Sequence, residues 1–252
     1  MKYASALVAV LVLAFTGAGL TATPSVLFIG NSFLFGSGSA VRFYRADTVT
    51  DLNHEGIGGV PALFKSFASQ AGLDYDVSLE TRGGTGLDFH LGNKLTEIGS
   101  RGWDTVVMHG FSLLDADKPR DPAKLVATSK QMADFLRGKN PNVSIFLIST
   151  WPRADNVYPE KGAWHGQSVE VMARDIRAAY DQAAKNAGIK SVIPVGESWL
   201  RAMQTGGSQE ASQGCGDWSK GGRAWRFTSR LCVECEPGYG ILGWHHRLRF
   251  AG

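Results

Sequence analysis

Val26-Leu27-Phe28-Ile29-Gly30-Asn31-Ser32-Phe33 is the stretch on which the fold turns. Four apolar residues run unbroken, and the chain then turns on Gly30-Asn31-Ser32. A short continuous apolar run bounded by turn residues predicts a strand buried on both faces, as in a parallel sheet. Open α/β sheets place ligands at the C-terminal ends of such strands, so Ser32 stands where a nucleophile would be useful. On these residues alone Ser32 reads first as the cap of the next helix. The loops that follow shift the balance.

Downstream, apolar strands alternate with amphipathic helices. Leu63, Phe64, Phe67, Ala68 and Ala71 follow Pro61 at helical spacing, and Gly72 stops them. Residues 75–80 alternate and read as a second strand. The glycine-rich loop Thr81-Arg82-Gly83-Gly84-Thr85-Gly86 comes next, and residues 87–98 are predicted to be helical. Residues 104–108 form a third strand, which runs into His109-Gly110-Phe111-Ser112. Strands at 143–148 and 191–195 and helices at 122–137, 169–187 and 197–203 complete the series. Residues 40–59 yield no assignment. Five strands alternating with helices predict an α/β three-layer sandwich around a five-stranded parallel sheet, wound in the flavodoxin-like manner.

A chain of 252 residues, 44% hydrophobic and 19% charged, suits one sizeable α/β domain. The net charge of +3, with no basic block, argues against a nucleic-acid partner. Residues 1–22 differ from the rest. Met1-Lys2 is a basic start, Ala6 to Phe15 is unbroken and apolar, and small residues follow at Thr16-Gly17-Ala18 and Leu20-Thr21-Ala22. This pattern predicts a secretory signal, with an uncleaved anchor as the alternative. The domain is then expected to span 23–205 and to be secreted or periplasmic, with no stable membrane insertion after cleavage.

Beyond Gly206 the apolar period disappears, so residues 206–252 read as an atypical tail of uncertain order. All three cysteines, Cys215, Cys232 and Cys235, lie in it, and an odd number leaves one thiol unpaired or bonded between chains. Cys232-Val233-Glu234-Cys235 near His245-His246 suggests zinc, but adjacent histidines seldom converge on one tetrahedral ion. No metal is expected there.

In a parallel sheet the loops after strands one, two and three open on one edge. A serine there attacks an acyl carbon only if a base takes its proton and donors hold the oxyanion. Glycine-rich backbone suits the second task, because its amides can be approached closely.

These residues carry a resemblance. Phe28-Ile29-Gly30-Asn31-Ser32-Phe33 resembles the first block of the SGNH (GDSL-like) hydrolases, in a branch with Gly-Asn-Ser in place of Gly-Asp-Ser. Gly83-Gly84-Thr85-Gly86-Leu87 resembles the second block, and Trp103-Asp104-Thr105-Val106-Val107-Met108 the strand before the third. The resemblance implies the SGNH hydrolase fold. It makes Ser32 the nucleophile, with its own amide as one oxyanion donor. Gly84 would supply a second amide, with Gly83 as the competing choice. The family's Gly-x-Asn-Asp asparagine has no counterpart. His109 stands about there, either as a ring donor or as an orienting, packing residue.

The main departure is the base. The resemblance implies Asp-x-x-His near the C-terminus, and none follows the fifth strand. Asp51-Leu52-Asn53-His54 has the spacing but precedes the second strand, and reads as coincidence. Two explanations stay open. The base has been rearranged, with His246 or His245 as substitute, or the tail is not the ancestral one, as a shifted reading frame would produce. His165 recommends itself only by position. Loss of one triad member usually costs orders of magnitude in rate, so impaired activity is expected.

The sequence therefore predicts an exported serine ester hydrolase that acts on acyl or acetyl esters without a cofactor. Ser32, Gly84, His109 and His246 are its candidate catalytic residues, and a small-molecule or carbohydrate ester is its substrate. Trp151, Trp164 and Trp199 favour a sugar if they line a groove, but they serve equally as packing. The alternative is a non-catalytic binding or structural protein on the same scaffold.

Overall fold

The computed structural model describes residues 22–204 and two short strands in the tail, 226–228 and 231–233. Six strands form one sheet: β1 (Ser25–Gly30), β2 (Thr50–Asp51), β3 (Asp76–Thr81), β4 (Thr105–Met108), β5 (Ser144–Ile148) and β6 (Ser191–Ile193). Their order is β2-β3-β1-β4-β5-β6 and every pairing is parallel. The five strands read from the sequence are present in flavodoxin-like order. The sixth, β2, is a two-residue edge strand in the unassigned stretch, too short to show a period.

β1 is buried along its whole length, as an unbroken apolar run requires. Its residues alternate between two cores. Val26 and Phe28 join Val77, Leu79 and Val107 beneath α1 (Ser32–Phe35) and α2 (Gly59–Gln70). Leu27 and Ile29 join Val106, Met108, Ile145 and Leu147. That second face is covered by α3 (Leu87–Asn93), α5 (Ala123–Lys139) and α6 (Val169–Ala187). The predicted helix over 87–98 is broken: Lys94 leaves helical geometry at φ −131°, and α4 (Leu95–Ile98) follows. α6 ends where Gly188, at φ 62°, turns its amide back to the Ala184 carbonyl. α7 (Val195–Gln204) packs Trp199, Leu200 and Met203 on the same core.

In the tail, β7 (Arg226–Thr228) and β8 (Leu231–Val233) pair antiparallel, with Phe227 opposite Cys232. All of the predicted signal segment but Ala22, together with His245, His246, Cys215 and Cys235, lies outside the described residues. Among the described residues no helix is long and apolar enough to cross a membrane.

Candidate active site

β1 lies between β3 and β4, so the chain leaves it towards one neighbour and later returns on its other side. Such a switch point opens a crevice at the C-terminal strand ends. The loops that begin at Gly30, Arg82 and His109 meet there.

Asn31 joins them. It is 2% exposed and caps α1, its Oδ1 accepting from the Phe33 amide at 3.2 Å. Its Nδ2 donates to the Thr85 carbonyl at 2.7 Å and to the Gly110 carbonyl at 3.2 Å. The cap therefore falls on Asn31, one residue before the Ser32 that the sequence suggested. Ser32 is left as the first helical residue, half-buried, and its hydroxyl makes no hydrogen bond among the described residues. Its amide is one of the orphan donors of a helix start.

Gly84 adopts φ +73°, and a Cβ there would meet nothing within 4 Å. The turn thus requires glycine for its backbone conformation rather than for space. The Gly84 amide makes no hydrogen bond among the described residues. Thr85 Oγ1 closes the turn by donating to the Arg82 carbonyl at 2.9 Å. Gly83 faces the other way, where a Cβ would stand 3.3 Å from the Phe35 ring.

His109 sits under the Gly30–Asn31 peptide and is 1% exposed. Nδ1 donates to the Gly110 carbonyl at 2.9 Å, and Nε2 accepts from the Asn31 amide at 3.4 Å. Burial pushes its pKa down to about 4, so the ring is neutral at pH 7. With Nε2 turned to Asn31, the contacts suit the orienting role. Donation to an oxyanion would require the other tautomer. The Gly110 amide is fixed in turn by the buried Tyr180 hydroxyl, 2.9 Å away. Phe33 packs edge-on against both His109 and Trp151, at 5.9 and 4.2 Å between ring centres.

Other residues singled out in the sequence are not brought here. Trp164 is fully buried and donates Nε1 to Asp175 at 2.7 Å, and Trp199 packs on the core, so the three tryptophans line no common groove. His165 is exposed. Asp51 is spent on the amides of Asn53, Glu55 and Ile57 at 3.0, 2.9 and 3.1 Å, while His54 points into solvent, as coincidental spacing would have it. Sequence reasoning missed a buried pair, Glu80 and His90, joined through Nδ1 and both 0% exposed. Asn53 donates to Glu80 Oε1 at 3.0 Å. The one signal available was a glutamate at an inward position of the second strand. Among the described residues no cluster of three His, Cys, Asp or Glu side chains is placed to hold a metal ion.

No family model and no curated protein matches the chain. Solved structures do. A candidate GDSL-like lipase from Parabacteroides merdae is 13% identical, with 74% of this chain and 84% of that one covered at a TM-score of 0.54. A DUF4886 family protein from Bacteroides uniformis is 18% identical, with 71% and 70% covered at a TM-score of 0.53. The chain has the fold of the SGNH (GDSL-like) hydrolases.

Proposed function

We propose that the chain is an exported serine ester hydrolase with Ser32 as its nucleophile. The observation that supports this best is the Asn31 bracket. It ties the turn that carries a half-buried serine hydroxyl, without a partner among the described residues, to the glycine turn whose Gly84 amide is likewise unused. Ser32 Oγ bonds to the acyl carbon while its proton passes to a base, for which His246 or His245 stands in for the missing Asp-x-x-His histidine. The ester C–O bond then breaks, and the alcohol leaves with that proton. Water releases the acid and restores the hydroxyl. Charge on the tetrahedral oxygen is held by the two amides. The preferred substrate on this reading is an acetyl or short acyl ester of a carbohydrate, met outside the cytoplasm after signal cleavage.

One observation favours a second reading, a binding protein on a hydrolase scaffold: among the described residues no base reaches Ser32. Turnover of p-nitrophenyl acetate by the full chain separates the two. The enzyme reading expects Ser32→Ala to lose about three orders of magnitude or more. Equal rates for the two proteins would overturn it.

A further inference from the structure

Beside the Asn31 bracket lies a cleft of about 430 Å³, lined in part by Gly84, Asp88, Phe89, Asn93, Phe111 and Lys124. Its place is fixed by the same side chain that places Ser32. Thr85, whose carbonyl accepts from Asn31, is in its wall, and Phe111 follows Gly110, which offers the second accepting carbonyl. Gly84 is shared between the cleft and the proposed oxyanion site. Gly86 leaves room both for the Asp88 carboxylate and for the second loop, since a Cβ there would stand 2.8 Å from Asp88 Oδ1 and 3.3 Å from Phe111. The cleft therefore borders the two loops that Asn31 ties to the serine turn.

Its chemistry is selective. Phe89 and Phe111 are half-buried and offer apolar surface. Lys124 is not a free cation: its Nζ is 2.8 Å from Asp115 and 3.1 Å from Asp117. An anionic ligand thus meets a charge already neutralised. Asp88 is exposed and forms no ion pair among the described residues. Asn93 donates its Nδ2 to the Phe89 carbonyl at 2.8 Å, which leaves its Oδ1 free to accept. The rim is thus rich in acceptors and the walls are aromatic. A fatty acyl chain offers no donor to Asp88 or Asn93. A neutral pyranose satisfies both, with its C–H face on an aromatic ring and its hydroxyls donating to carboxylate and amide oxygens. The volume lies in the range of small-molecule sites.

We infer that this cleft binds the sugar half of the ester, with Asp88, Phe89 and Phe111 setting specificity. The acyl group then lies on the opposite flank, towards Phe33 and Trp151. This inference rests on the hydrolase reading for its role in catalysis, but sugar binding is tested apart from turnover.

The test is calorimetric titration of the full-length Ser32→Ala protein with xylotriose, alongside p-nitrophenyl acetate turnover by the unaltered chain. The expected result is binding with a dissociation constant on the order of 1 mM, weakened about tenfold or more by Phe89→Ala and by Asp88→Asn. Circular dichroism confirms that both variants fold, and Asp88→Asn at the exposed rim guards against a packing effect of Phe89→Ala. Ser32-dependent turnover without xylotriose binding would overturn the sugar site and leave the hydrolase reading standing. Xylotriose binding without turnover would overturn the hydrolase reading and leave the site. Binding unaffected by both variants, or octanoate bound in place of xylotriose, would also overturn the proposal.

Discussion

The side-chain amide of Asn31 donates to the backbone carbonyl of Thr85 at 2.7 Å and so fixes the distance between the serine turn and the glycine turn. A second bond from the same nitrogen reaches Gly110. Asn31→Ala removes both donors and should cost about 1–3 kcal/mol in urea denaturation. Asn31→Asp is the sharper test, because it restores the Gly-Asp-Ser of the resembling family. Here it would turn a carboxylate towards two carbonyl oxygens, so it should be the less stable variant at pH 7. It should regain stability as acid protonates the new group. If Ser32 is the nucleophile, ester turnover should fall by about 100-fold in both variants, as for a misplaced reacting group.

Gly30→Ala tests the seat of His109. The new Cβ would overlap the imidazole, 2.6 Å from Cδ2, and lie 2.8 Å from Leu34 Cδ1. Overpacking of this kind costs about 1–3 kcal/mol. Adding His109→Ala should recover part of the loss, since the two positions share one space. Thermal melts of the two single variants and the double variant give the coupling. Strict additivity would show that the ring is not what the methyl group strikes.

The sequence revealed most of this frame because burial leaves a period. The unbroken run 26–29 gave β1, and the 3.6-residue spacing of Val169, Met172, Ala173 and Ile176 gave α6 with the bounds found. β2 was illegible because two residues carry no period, and its neighbourhood is set by Asp51 accepting three backbone amides. The break at Lys94 was missed because apolar spacing continues across it through Leu91 and Leu95. At the site, glycine turns and a serine were visible as letters. That Asn31 would be the strut between them was not, since its partners lie 54 and 79 residues away.

Glu80 and His90 form a fully buried pair, and His90 Nε2 has no partner among the described residues. Removing one member strands the other in a dry environment, so His90→Ala should cost about 3–5 kcal/mol. Replacing both by apolar residues of similar size should cost much less than the two single changes added together. A double-mutant cycle by chemical denaturation measures this. A small effect of His90→Ala would show that Glu80 is adequately held by Asn53 alone.

His109 predicts an acid dependence of stability with a defined sign. Its pKa falls from 6.5 to about 4 on folding, so between those values the unfolded chain binds a proton that the native chain refuses. Stability is then fully present above pH 6.5 and is lost as pH falls towards 4, below which the loss levels off. The span corresponds to about 3 kcal/mol for one buried imidazole. His109→Gln, which carries no titrating group, should flatten the curve over that window while lowering stability at pH 7. Asp104 and Asp115, held below the usual carboxylate range by Ser25 and by Lys124, add losses of the same sign at lower pH in both proteins. Melting temperatures from pH 4 to 8 should therefore converge for the two proteins towards the acid end. Parallel curves would mean that His109 is charged in the native state or does not titrate in the unfolded chain.

The proposed base can be located by the same logic of proton transfer. A serine hydroxyl is a weak nucleophile until a group within hydrogen-bond reach takes its proton. His109 is turned away, with Nδ1 on Gly110 and Nε2 on Asn31, and it remains neutral because it is buried. His54 and His165 are exposed, and His90 is held by Glu80. The hydrolase reading therefore nominates His246, or its neighbour His245, as the base. His246→Ala should then lower kcat for p-nitrophenyl acetate by about three orders of magnitude, whereas His165→Ala should leave it within about twofold. Exogenous imidazole should restore part of the rate to His246→Ala by supplying the missing base, and none to Ser32→Ala, which lacks the attacking oxygen. If His245→Ala shows the loss and the rescue instead, the base moves one residue. If neither histidine matters while Ser32→Ala is inactive, the proton leaves to water, and the rate should rise with hydroxide concentration rather than level off near a histidine pKa.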